Sequence, residues 1–169
     1  IIPNEGSHSQ TINTGTDPDQ LVLKGWKANV WAYTCVKRLA SCAAQAFWRV
    51  EERTGDGEKD WEPKADDWRN KLLAYPMAEK LSGFEVFFYW AAWLAIKGNG
   101  LLRKTPGGEN GILELVPMSP KNISPVPSKG DWCSGYSFVE NGIVLWNVPA
   151  EEIIHARLPD PMDPLWGYG

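Results

Sequence analysis

The order of elements along this 169-residue chain predicts an α+β fold, with helices from the first half packed on a mainly antiparallel sheet from the second. Three observations lead there. Apolar residues take up helical spacing from Asn29 onward. Ser82 and Glu85 form a capping box ahead of an apolar run. After Gly98 the chain changes to short β-forming runs punctuated by Pro, Gly and Asn, including Asn141-Gly142, the strongest two-residue hairpin signal. The length suits one domain, which at this size buries about 68–70% of its unfolded surface and needs no disulfide or metal.

Residues 1–25 are rich in Ser, Thr, Asn, Gly, Pro and Asp, with one apolar run at Leu21-Val22-Leu23. They read as an extended arm that cannot support a core of its own and becomes ordered against a partner. Residues 26–169 form the α+β domain. Its first helix carries Trp31, Cys35, Leu39, Cys42 or Ala43, and Ala46 on one stripe, expected to face the core, and ends near Gln45–Phe47. A strand over Phe47–Glu52 places Trp48 and Val50 on one face, and Thr54–Gly57 is a turn. Pro63 suits the first position of a short helix over about 63–73, with Asp66 and Asp67 in its first turn and an Asp67–Lys71 ion pair four residues apart.

The capping box is followed by Val86–Ile96, apolar on every side. This run falls well short of the roughly 20 residues that cross a bilayer, so no membrane span is expected. It reads as a helix buried on most faces, against its own core or a neighbouring subunit. Leu81 and Val86 stand at hydrophobic-staple positions, and Lys97-Gly98 supplies a cation and a left-handed stop. The predicted strands are Leu101–Lys104, Ile112–Val116, Ile123–Val126 (an edge strand, lying between prolines), Tyr136–Glu140, Ile143–Trp146 and Ile153–Arg157, with an irregular tail from Pro159.

Composition excludes general disorder: 43% of residues are hydrophobic and 22% charged. A net charge of −4 and an isoelectric point near 5.2 argue against a basic footprint for gripping nucleic acid. Ten tryptophans are the outlier. They fit a core of large plates, a sugar-binding surface or protein interfaces, and composition does not choose among these. Cys35 and Cys42 would lie about 10.5 Å apart along a helix axis, beyond the roughly 7 Å a disulfide tolerates. Reduced, buried thiols are therefore expected. The start Ile1-Ile2-Pro3 has no Met or signal peptide, as in an excerpt from a longer chain.

Catalytic signals are missing from the sequence. There is no phosphate loop, dinucleotide fingerprint or nucleophile elbow. The histidines are His8 in the arm and His155, which alternates with Ile154 and Ala156 and reads as a structural residue on one face of a strand. Asp160 and Asp163 offer too few oxygens for a calcium loop. Asp66 and Asp67 are read as helix N-terminal charges. No catalytic, cofactor-binding or metal-ligating residue is therefore predicted.

Several stretches in order, over roughly residues 26–169, resemble the portal proteins of tailed double-stranded DNA bacteriophages. They are Asn29–Ala40, Trp48–Glu51, Ser82-Gly83-Phe84-Glu85 with the apolar helix closing at Gly98-Asn99, Leu115–Pro120, Tyr136, and Val148–Arg157. The chain departs from that pattern at Tyr75–Lys80, where the family has a shorter Asn-Pro-rich link. It departs again at Leu165–Gly169, where the family usually shows Gly-Leu-Ser-Pro. The resemblance implies the wing part of a structural subunit in a ring, a dodecamer, at one capsid vertex of the virion, assembled in the host cytoplasm. It implies a packaging ATPase (terminase), major capsid protein and head–tail adaptors as partners, with DNA passing through the channel without sequence-specific binding. The family's DNA-contacting and motor-contacting segments find no counterpart here. Trp26 and Trp166, beside linker-like segments, are the subunit-interface candidates. Two rival readings are a Trp-rich carbohydrate-binding module, which needs exposed coplanar tryptophans, and a hydrolase fragment. Trp48, Trp90, Trp93 and Trp146 are instead expected to be buried.

Overall fold

Ser82 starts the helix around which the domain is arranged. Its hydroxyl accepts the Glu85 N–H (3.3 Å), while the Glu85 carboxylate accepts the Ser82 N–H (2.9 Å) and hydroxyl (2.8 Å). These reciprocal bonds satisfy two of the amide groups that a helix start leaves without partners, and they hold the Glu85 carboxyl below its usual range. The computed structural model describes residues 25, 29–46, 48–55, 57, 60–77, 80–108, 111–130, 133–140, 143–161, 163 and 165–167. Most of the predicted arm, together with Trp26, lies outside the described residues.

The elements in order are α1 (Val30–Ala44), β1 (Glu51–Arg53), β2 (Trp61–Pro63), α2 (Trp68–Ala74), α3 (Gly83–Lys97), β3 (Asn99–Pro106), β4 (Ile112–Met118), β5 (Ile123–Pro127), β6 (Cys133–Glu140), β7 (Ile143–Pro149) and β8 (Ile153–Arg157). A single 3₁₀ turn, Ala150–Glu152, joins β7 to β8. Every strand pair is antiparallel. The helices-then-strands expectation holds, but the later strands form two three-stranded sheets, β4-β3-β8 and β5-β6-β7, with β1-β2 a separate hairpin. β5 lies at an edge, where its prolines cost no ladder bonds.

Alternation along β3 makes the domain three-layered. Leu102 joins Val86, Phe87, Met77 and Ala44 on the helix side. Leu101, pointing the other way, joins Ile123, Tyr136, Val148 and Ile153 against the outer sheet. The sheet β4-β3-β8 is thus the middle layer. The Leu115 N–H on β4 donates to the Pro76 carbonyl (2.9 Å), tying the segment between α2 and α3 to that sheet.

The stripe expected on α1 is corrected. Ala40 is buried and Val36 and Ala43 partly so, packed with Ala91 and Ala92 of α3, while Ala44 is buried beside Val86 and Phe87 of the same helix. Trp31, Cys35, Leu39, Cys42 and Ala46 are exposed. The two stripes lie roughly 120° apart around the helix. Small side chains on both helices permit a close approach of the axes, so the alanine stripe wins the contact over the bulkier one. The thiol expectation changes with it: all three cysteines are free, as read, but Cys35 and Cys42 are exposed and Cys133 half-buried. The expectation of buried tryptophans also fails. Trp31, Trp48, Trp61 and Trp68 are exposed, and Trp90, Trp93, Trp146 and Trp166 are half-buried.

Two local boundaries also differ. The strand expected over 47–52 is paired only at Glu51–Arg53, and Trp48 instead stacks on Phe87 (5.2 Å between ring centroids). Pro63 closes β2 rather than opening a helix. The helix starts at Trp68 with Asp67 as its N-cap, the carboxylate accepting the Arg69 N–H (2.9 Å). That placement gives Asp67 a bidentate ion pair with Arg69 (2.8 and 2.7 Å) in place of the expected pair with Lys71. The Arg69 bonds hold the Asp67 carboxyl down at about 2. Among the described residues no helix is long and apolar enough to cross a membrane.

Removing the cap tests the importance of α3. Ser82→Ala should lower the unfolding free energy by about 1 kcal/mol, read as an earlier midpoint in urea denaturation followed by far-ultraviolet circular dichroism.

Candidate functional site

Gly98 ends α3 in the left-handed conformation (φ 67°), and Asn99 follows it directly as the first residue of β3. Asn99 is fully buried. Its amide uses all four of its hydrogen-bonding capacities. The Nδ2 group donates to the Lys97 carbonyl (2.6 Å) and the Gly167 carbonyl (3.0 Å). Oδ1 accepts from the Gly167 N–H (2.7 Å) and from Nε2 of His155 on β8 (2.9 Å). One side chain therefore grips both backbone groups of Gly167 in the tail. Gly167 must be glycine, because a Cβ there would lie 2.0 Å from the Gly98 carbonyl oxygen.

Because Asn99 Oδ1 acts as acceptor, His155 carries its proton on Nε2. Nδ1 then accepts from the Tyr136 hydroxyl on β6 (3.0 Å). The chain Tyr136–His155–Asn99–Gly167 crosses from the outer sheet through the middle sheet to the tail. Burial, reinforced by the positive charge of Arg157, pushes the His155 pKa down to about 4, so the ring is neutral at physiological pH. Burial, with help from the neighbouring Cys133, raises Tyr136 to about 12. Both imidazole nitrogens are occupied within the network, which agrees with the structural reading of His155.

Trp166 closes this node from outside. Asp163 Oδ1 accepts the N–H groups of Leu165 (3.0 Å) and Trp166 (3.1 Å), a turn that sets the indole 5.3 Å from the His155 ring. The Asp163 carboxylate thus serves the turn. The structure places Trp166 half-buried at the edge of the core between the two sheets, while Trp26 lies outside the described residues. A second joint between the sheets comes from Arg103 on β3. Its guanidinium lies over Trp146 (5.1 Å), which stacks on Phe138 (5.0 Å), and it pairs with Glu152 (3.3 Å).

Among the described residues no group of three or more His, Cys, Asp or Glu is placed to hold a metal. The features open to a partner are apolar surfaces instead. They include the α1 ridge and residues Ile143, Val144 and Leu145 of β7, an edge strand of the outer sheet. Sequence reading missed Asn99, which looks like part of a helix stop, and it took the α1 ridge for core. A rival all-alanine spacing at positions 32, 36, 40, 43 and 44 (with Val at 36) was the available signal.

The node generates two expectations. Asn99→Ala should cost about 3 kcal/mol, since it strands the Gly167 N–H and a half-buried imidazole. It should also expose the segment after Leu158 to limited proteolysis. The folded pKa of His155 lies below its unfolded value of 6.5, so the unfolded state takes up the proton first on acidification. Stability is therefore full above about pH 6.5 and falls toward pH 4 by at most about 3 kcal/mol. His155→Gln should flatten that slope between pH 6.5 and 5, measured by thermal unfolding across buffers.

Comparison with known proteins agrees with the architecture. No curated protein sequence matches the chain. Among solved structures, the neck of an empty gene transfer agent particle, computed with C6 symmetry, is similar with a TM-score of 0.71 and 19% identity, over 90% of this chain and 40% of that one. The neck of the native particle, computed with C12 symmetry, gives 0.70 and 20%, over 89% and 38%. The virion of the native particle gives 0.69 and 19%, over 90% and 39%. The chain thus spans about two fifths of the length of the chains it matches. Residues 31–169 match the family model of the phage portal protein, and over that greater part of its length the chain belongs to the phage portal protein family.

Proposed function

We propose that the chain is the wing part of a structural subunit of a portal ring, the head–tail connector through which DNA is packaged into a capsid and later ejected. The observation that carries this reading is the family match over residues 31–169, and the shared fold with chains of a particle neck computed with C12 symmetry supports a ring, a dodecamer in the simplest case. The ring sits at one vertex of the virion and forms in the host cytoplasm. Its partners are a packaging ATPase, the major capsid protein and head–tail adaptor proteins. Double-stranded DNA passes through the channel without sequence-specific binding. An acidic balance of −4 favours sliding over gripping, because phosphates find no excess of cations to release counterions against.

A structural role also suits a node whose polar groups are spent on each other. Tyr136, His155 and Asn99 fix the angle between the sheets, which sets how each wing meets the next. In this reading residues 1–25 lie across an adjacent subunit, and Trp26 and Trp166 anchor subunit contacts. Trp166 is half-buried, its indole tilted against the His155 ring, which leaves part of it accessible to a neighbour.

Negative-stain images of the full-length protein should show closed rings with a central hole. Only monomers under every condition would overturn the proposal. Trp26→Ala and Trp166→Ala should each lower the yield of rings, and unchanged assembly in both variants would remove their anchoring role.

A further inference from the structure

The residues that miss the core of α1 form a continuous apolar ridge. Trp31, Cys35, Leu39, Cys42 and Ala46 follow one another at intervals of four, four, three and four, with no charge among them. Trp31 is 81% exposed and Leu39 63%. Among the described residues the domain's packing does not use this ridge, because α1 is held to α3 through Ala40 against Ala91 and Ala92 and through Ala44 beside Val86 and Phe87. Scattered exposed apolar residues are ordinary, but a whole helix ridge of them marks an interaction surface.

A second apolar patch lies in the opposite layer. Ile143 (64% exposed), Val144 (52%) and Leu145 (51%) are consecutive on β7, one of the two edge strands of the outer sheet. Long apolar edge strands are normally blunted by charge or covered. α1 is packed on α3 in the helix layer, and β7 lies in the outer sheet, with the middle sheet between them. Two unlike apolar patches on opposite layers of one domain are what a head-to-tail ring requires, since each copy must offer a different surface to each neighbour. On α1, Arg38 alone borders the ridge, too few cations for a nucleic-acid footprint.

We infer that the α1 ridge of one copy packs against the β7 strand of the next copy, an inference that rests on the ring reading above. Cys35 and Cys42 then sit inside the subunit contact, and their thiols report on it. Cys133 is half-buried and donates to the Gly135 carbonyl (3.0 Å), which makes it an internal reference.

The test treats the full-length subunit with a maleimide, as assembled rings and as free subunit held below the assembly concentration, and reads each cysteine by peptide mass spectrometry. Cys35 and Cys42 should label readily in the free subunit and at least tenfold more slowly in rings, with Cys133 changed far less. In the Val144→Cys variant, a short bismaleimide should link Cys35 or Cys42 of one copy to position 144 of another, giving a ladder of cross-linked oligomers. Rings whose thiols react as in the free subunit would overturn the ridge as a contact. Thiols already protected in the free subunit would show the ridge covered within one chain and overturn it equally. Protected thiols without the ladder would overturn β7 as its partner surface. A protein that forms no rings at all would instead overturn the ring reading on which this rests.

Discussion

The amide of Asn99 is the constraint on which the rest of the domain depends. It is fully buried and bonded at every donor and acceptor site, and its partners come from the end of α3, from β8 and from the tail. A buried polar group in that position costs free energy unless each bond is made, so the arrangement is close to all-or-none. Around it, Gly167 can carry no side chain because a Cβ would strike the Gly98 carbonyl, and His155 stays neutral because it is buried near Arg157. The neutral ring in turn orients the Tyr136 hydroxyl of the outer sheet. One residue thereby sets the mutual position of helix layer, middle sheet, outer sheet and tail.

The helix layer obeys a second constraint, steric rather than polar. At the centre of their contact α1 and α3 meet through alanines, with Val36, Phe88 and Trp90 around them, and a close approach of two helices favours small side chains at its centre. The larger residues of α1 are then forced onto another face. The same packing that completes the domain's own core therefore creates the apolar surface that the core does not use. Under the ring reading proposed above, this division of labour within one helix is economical: one stripe folds the domain and the other is left for a neighbour.

Much of the architecture was legible from local chemistry. The capping box at Ser82, the left-handed stop at Gly98 and the strands flanking Gly- and Asn-rich turns appear where the sequence predicts them, because caps and turns depend on residues only a few positions apart. β8 matches its expected bounds for the same reason. Local ambiguity explains the misplaced boundaries. Pro63 suits a helix start and an edge strand equally well, and pairing of Trp61–Pro63 with Glu51–Arg53 decided between them. The functional surfaces were less legible: α1 carries two apolar stripes of comparable quality, and nothing within the helix says which one α3 will cover. Asn99 has no local signature of a keystone, since its partners His155 and Gly167 lie far along the chain.

By itself, then, the sequence determined the kind of most elements, the order of helices before strands in the main body, the acidity of the chain and the ordered set of short stretches that resemble a portal subunit. These are written in neighbouring residues or in their order, and both survive without a third dimension. Only the tertiary structure decided that the later strands divide into two sheets, that Trp31, Trp48, Trp61 and Trp68 are exposed while Trp90, Trp146 and Trp166 line the edges of the core, and that Cys35 and Cys42 face outward. Each of those outcomes depends on contacts between segments tens of residues apart, where close packing and the satisfaction of one buried amide choose among faces that local spacing leaves equivalent.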